Sequence, residues 1–299
     1  MKNIKKIKLN GAFGGISFSA LMLLYVLISL MGQLILGAAG IKGGFLFIAV
    51  SSVFSISALL IIIVFWGVKG EGGLYRTLSV KKFNPLYIFL AILLSAAMLF
   101  GFGFINEGIS ALLERWGANV TALSPPLENA GQYITFFITI CVLPAITEEI
   151  FFRGVIFNSL GNFNKILRYV LVGLTFALYH CSIVQLIYQF IYGVCLAALT
   201  DIAGSVIPSI IAHFINNFVI ITLAYFKAEI NLFNGYIIAG GLLAFILFAV
   251  IYFIVIKKRS TVKEDVAKRA VRDKYFYLYF SVGAAISIAL AITALVQHG

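Results

Sequence analysis

Long apolar runs broken by short polar or basic segments set the pattern of this chain. A helix needs about 20 apolar residues to cross a hydrocarbon core. Runs of that order fall near 12–38, 44–67, 85–105, 132–152, 169–183, 185–203, 206–226, 235–256 and 276–296. Nine spans are expected, with eight as the alternative, because the fifth run is short and the fourth ends in charged residues. The first run follows the basic start MKNIKKIKLN and is about twice the length of a signal-peptide core, so it reads as a retained helix. Two connections are long. Residues 106–131 contain NEGISALLERWG, apolar on one helical face, followed by Pro125 and Pro126; they read as an outer interfacial helix and turn. Residues 257–275 form a basic loop, expected to be helical and to rest against anionic lipid.

Composition turns this pattern into a class. The 299 residues are 62% hydrophobic and only 11% charged, whereas a soluble domain is roughly half apolar and a quarter charged. The expected fold is all-α: a polytopic transmembrane helical bundle of about 8–9 spans around a polar intramembrane cavity. No Pro/Ser-rich linker, internal repeat or low-complexity tract divides it. Residues 1–131 supply N-terminal helices and the outer segment, 132–226 the core that carries candidate chemistry, and 227–299 the last helices with the basic loop.

A net charge of +11 raises the question of nucleic acid. The placement of the bases argues against it. With the N-terminus cytoplasmic and nine crossings, 19 of the 22 Lys and Arg fall on the cytoplasmic side, leaving Lys42, Arg115 and Lys227 opposite. Such a bias orients membrane proteins. The chain is therefore expected to be a multi-pass cell-membrane protein with a cytoplasmic N-terminus. Its expected partners are the lipid bilayer and a membrane-associated peptide or protein, with no nucleic acid. Cys141, Cys181 and Cys195 lie in or beside apolar runs without zinc or redox spacing, and read as small buried residues. Glycine-rich nucleotide fingerprints are absent.

One stretch breaks the rule that membrane helices avoid charge. LPAITEEIFFRG, residues 143–154, carries Glu148, Glu149 and Arg153. Left unpaired, the three would cost about 8–10 kcal/mol at a helix centre on translocon scales. Glu149 and Arg153 are four apart and share a helical face, so they can pair. Glu148 points about 100° away and is left free. Pro144 lies four residues before Glu148 and predicts a local bend. Partners can come from two other spans. FALYH ends in His180, four residues after Phe176; HFINN carries His213 and Asn217 four apart, with Asn216 pointing elsewhere. Intramembrane Glu, His and Asn normally face the bundle interior. Asp201 falls at a cytoplasmic boundary and reads as structural.

These groups can activate water. A carboxylate and an imidazole hold one water, with the carboxylate as general base; a second imidazole and an amide can donate to a developing oxyanion. That describes a peptide hydrolase without a serine or cysteine nucleophile. Glu148, His180 and His213 are also a possible zinc set with an open water position. The residues by themselves leave both open.

EEIFFR (148–153), FALYH (176–180) and AGSVIPSIIAHFINN (203–217) resemble, in order, the EExxxR, FxxxH and HxxxN or HxxxD motifs of the CAAX-protease and bacteriocin-processing (CPBP) family. The resemblance covers roughly residues 130–225 and implies an intramembrane endopeptidase. It implies Glu148 as general base with His180 as its partner on the water, and His213 with Asn217 as an oxyanion site. Glu149 with Arg153 would organise the first motif helix. A glutamate-type mechanism without cofactor is favoured over zinc, because an Asn stands where a third metal ligand would be wanted. Two other readings compete: a non-catalytic immunity or scaffold member of the same family, and a proton-coupled transporter. The transporter would call for symmetric broken helices in two halves, which the sequence does not show.

Overall fold

The computed structural model describes residues 10–41, 43–70, 73, 78–118, 127–259 and 274–297. Among them there is no strand, and nine principal helices follow in order. They are α1 (Gly11–Ala38), α2 (Gly44–Lys69), α3 (Leu86–Arg115), α4 (Ala130–Ser159), α5 (Lys165–Tyr179), α6 (Leu186–Ala203), α7 (Ile207–Tyr225), α8 (Gly235–Arg259) and α9 (Lys274–Gln297). All but α5 are long and apolar enough to cross a membrane, giving eight candidate spans. The protein is an integral membrane helical bundle.

The short fifth run becomes α5, whose 15 residues reach only about 22 Å. It runs antiparallel to α6. Lys165 at its start pairs with Asp201 near the end of α6 at 2.7 Å, and Tyr169 donates to the same carboxylate oxygen at 2.7 Å. Further along, Gly173 packs directly on Gly193. Asp201 thus closes one end of the hairpin.

The structure differs from the expected interfacial helix. Residues 104–115 continue α3 as one 30-residue helix, through a π-helical turn at Ala97–Phe102. Asn106 and Glu107 look like the end of an apolar run because they are polar, but they line a cavity in the bundle, with Glu107 exposed, so the helix has no reason to stop there. Pro125, Pro126, the basic segment 260–273 and His298 lie outside the described residues.

Helix starts follow from local chemistry. The side chains of Asn10, Asn129 and Asn164 accept hydrogen bonds from the backbone amides of Phe13, Gln132 and Leu167, satisfying donors that helix starts leave free. Gly204 ends α6 in a left-handed conformation (φ +67°), which lets the chain turn at once into α7.

The outside is apolar, as lipid requires. Leu23, Leu27, Leu30 and Leu34 form a stripe on α1 that is 50–74% exposed. Inside, phenylalanines 18, 151, 152 and 176 are fully buried. Without a hydrophobic drive between helices in lipid, small residues and interhelical hydroxyl bonds hold membrane bundles together. Ser95 donates to the carbonyls of Ala91 (2.8 Å) and Ala212 (2.9 Å), tying α3 to α7. Ser209 does the same for α6 and α7 through the Leu196 carbonyl at 3.0 Å. The Ser19 hydroxyl donates to the Tyr279 carbonyl and accepts from the Gly283 amide, tying α1 to α9.

Candidate active site

Between its α-helical ends, Ala130–Phe136 and Phe157–Ser159, helix α4 runs through π-helical Phe137–Val142, α-helical Leu143–Glu149 and π-helical Ile150–Ile156. The break is written in the sequence. Pro144 has no amide hydrogen, and widening the preceding turn relieves the clash its ring would make. The middle piece ends on Glu148 and Glu149, both buried.

Arg153 pairs with Glu149 as its spacing requires: Nη1 donates to Oε1 at 2.9 Å, with both side chains fully buried. Its second Nη donates to the carbonyl of Gly193 at 3.0 Å, and the guanidinium stacks on the Phe176 ring at 4.5 Å. That carbonyl is reachable because α5 and α6 meet at Gly173 and Gly193. A Cβ on Gly193 would lie 2.8 Å from the Gly173 Cα and 3.2 Å from Phe176. Gly193→Ala should therefore push the helices apart and displace Phe176 from Arg153. The expected cost is about 1–3 kcal/mol, typical of overpacking, read as a lower melting temperature in detergent. Gly240→Ala, where an added Cβ meets nothing within 4 Å, is the control and should melt like wild type.

Glu149 serves a second partner that the helical spacing did not reveal. Nδ1 of His213 donates to the same Oε1 at 3.0 Å. The carboxylate thus bridges Arg153 and His213 and fixes the imidazole's orientation. His213 Nε2 then faces Glu148, 4.0 Å from its Oε2. That separation is too long for a hydrogen bond, and Glu148 Oε2 has no hydrogen-bond partner in the structure. Glu148 is therefore left outside the Arg153 pairing, as the angle between the two glutamates implied.

His180 sits just past the last residue of α5, and its Nδ1 lies 2.9 Å from the Phe176 carbonyl. A carbonyl only accepts, so the hydrogen is on Nδ1 and Nε2 is left with a lone pair. Asn217 donates from Nδ2 to the Ile140 carbonyl of α4 at 3.0 Å.

Glu148, His180, His213 and Asn217 all line one cavity of about 620 Å³, and Thr139, Ile140 and Pro144 continue its wall. Glu149 and Arg153 stand behind that wall and are fully buried. Further lining residues escaped the sequence reading: Tyr188, Tyr192 and Asn216. Tyr188 donates to Asn216 Oδ1 at 2.8 Å, so Asn216 faces the same space as Asn217. The available signal was Tyr188 and Tyr192 four apart, beside Gln185 and Gln189 four apart, on an otherwise apolar helix.

Zinc would call on Glu148, His180 and His213. Among the described residues no three His, Cys, Asp or Glu side chains are grouped to hold one ion. As placed here these three side chains are not drawn together round one ion, and no step below passes through one.

Residues 130–219 match the family model described as type II CAAX prenyl endopeptidase Rce1-like. All six motif residues from Glu148 to Asn217 lie inside the match, which is consistent with the CAAX-protease and bacteriocin-processing family that its motifs resemble. That family is one of proteases. No curated protein and no solved structure gives a match to the chain.

Proposed function

We propose that this protein is an intramembrane endopeptidase that hydrolyses a peptide bond of a membrane-associated protein or peptide precursor. The reading rests above all on Glu148: a buried carboxyl with one oxygen unpartnered, on a cavity wall shared with two imidazoles. The match over residues 130–219 supports the same class.

In this reading a water sits between Glu148 and His180, donating one hydrogen bond to each. Glu148 takes the proton as general base while the water oxygen attacks the scissile carbonyl carbon. The carbonyl π pair moves onto oxygen. His213, oriented by Glu149 through Nδ1–H and carrying a proton on Nε2 as well, donates to that oxyanion from Nε2. On collapse the C–N bond breaks, and Glu148 returns its proton to the leaving amine. Arg153 keeps Glu149 in place, so that His213 does not rotate away. Buried in an apolar bundle, these groups work without competing solvent.

Two measurements test this reading. The purified protein in detergent or proteoliposomes should cleave a membrane-anchored peptide library at discrete internal bonds. An inactive but folded wild-type protein would leave binding as the use of the cavity. The metal question has its own test. Active protein should contain substoichiometric zinc and keep its turnover after chelation. Loss of activity on chelation with recovery on adding zinc would overturn the glutamate mechanism, because a metal would then be supplying the activated water.

A further inference from the structure

Proline at position 144 leaves an account to be settled in the backbone. The π-helical turn closes with the Leu143 amide on the Ile138 carbonyl; where the chain returns to α-helix, the amide of residue 144 would bond the carbonyl of residue 140, and proline has no amide hydrogen. A carbonyl left bare in an apolar bundle is costly. The Ile140 carbonyl is not bare: the carboxamide of Asn217, on a different helix, donates to it at 3.0 Å. The donor that the chain lacks at Pro144 comes from α7.

We infer that Asn217 is a positioning residue that replaces the missing Pro144 amide and so holds the bend of α4 that presents Glu148 to the cavity. The geometry supports this from both sides. Ile140, Pro144 and Glu148 line the same cavity and succeed one another at intervals of four residues, so the braced turn and the carboxyl share a face of α4. On α7, Asn217 is one turn beyond His213, which holds Glu149 at 3.0 Å. Two adjacent turns of α7 therefore grip α4 above and below its break, one by a side-chain carboxylate and one by a backbone carbonyl. Two further bonds join the same helices without touching this turn. Tyr133 and Thr222 share a hydroxyl bond at 3.0 Å, and the Cys141 thiol donates to the Phe214 carbonyl at 3.4 Å. The register of α4 on α7 thus survives loss of Asn217, and what loosens is the turn between Ile140 and Glu148.

The inference rests on the peptidase reading only for its activity readout, and a four-protein cycle separates the two. The proteins are wild type, Asn217→Leu, Pro144→Ala and the double variant; Leu keeps the γ-branched shape of Asn without a donor. Pro144→Ala restores a backbone donor for Ile140, which makes the Asn217 brace redundant. Asn217→Leu should lower the melting temperature and cut turnover by roughly 10–100-fold in the wild-type background, as a small misplacement of a catalytic group does. In the Pro144→Ala background the same substitution should cost less than about threefold and leave melting nearly unchanged. An equal drop in melting temperature in both backgrounds overturns the brace, as does failure of Asn217→Leu to accumulate in both. Coupled melting with an equal loss of turnover overturns the positioning of Glu148 and makes Asn217 a direct donor. If wild type cleaves nothing, the peptidase reading fails and the melting cycle alone decides the brace.

Discussion

Glu148→Gln should produce a protein that inserts, folds and melts like wild type but hydrolyses peptide about 10²–10⁴-fold more slowly, the usual worth of a general base. The expectation follows from what Glu148 does not do. Its Oε2 accepts no hydrogen bond, and Arg153 bonds Glu149 rather than Glu148. Replacing one carboxyl oxygen by NH₂ therefore breaks no structural bond at that atom, and it removes a charge that the bundle otherwise has to keep buried. The amide cannot accept a proton from water. Turnover on a cleaved peptide, set beside thermal unfolding in the same detergent, checks both halves. Retention of more than a few per cent of wild-type turnover would end the general-base assignment.

Arg153→Ala should fail in the opposite manner, through stability first. Arg153 holds three things at once: Glu149 at 2.9 Å, the Gly193 carbonyl at 3.0 Å and the face of Phe176 at 4.5 Å. Alanine leaves a buried carboxylate with His213 as its remaining partner and a buried carbonyl with no donor from this side chain. Breaking a buried pair by removing one member costs about 3–5 kcal/mol, a large part of the stability of a typical domain. Low expression and a markedly lower melting temperature are expected. Arg153→Lys should rescue little, since an ammonium cannot fork to two acceptors and stack on a ring together. Replacing the pair as Glu149→Gln with Arg153→Met should recover much of the stability, because apolar or neutral substitutes for a buried pair are often tolerated. It should not recover activity, because His213 then loses the carboxylate that orients it. An Arg153→Ala protein as stable as wild type would show that the pair contributes nothing to the fold.

The sequence made the spans legible because lipid imposes a length and a polarity that few other environments do, and eight runs emerge as full-length helices. Helical angle alone separated Glu148 from Glu149. It held even though Arg153 lies in a π-helical turn, where residues four apart still face one another. Three things were not legible. The Glu149–His213 bond joins residues 64 apart, and no local periodicity reports such a contact. The extension of α3 to Arg115 was hidden because Asn106 and Glu107 mimic a span end, and only the cavity explains their polarity. Asn216 was read as turned away from His213. Yet the cavity is broad enough to reach it, and Tyr188 from α6 fixes it there at 2.8 Å. Each miss is a matter of what stands opposite a residue, which pattern along one helix does not encode.

The tie between α1 and α9 has a consequence for how the molecule is made. The two helices approach so closely that a Cβ on Gly15 would lie 2.6 Å from the Phe276 carbonyl. Gly283 is as tightly set against Phe18. Yet α1 leaves the ribosome before any other described helix and α9 after all of them. Throughout translation the small-residue face of α1 and its Ser19 hydroxyl must wait in the bilayer without their partner. Chaperones or proteases that patrol membranes for exposed polar groups would find them there. The three motifs are all synthesised before the helix that completes this seam, so a ribosome stalled short of Phe276 would release the whole buried polar cluster in a bundle still open along α1. Assembly is thus timed so that the seam furthest apart in sequence is sealed last.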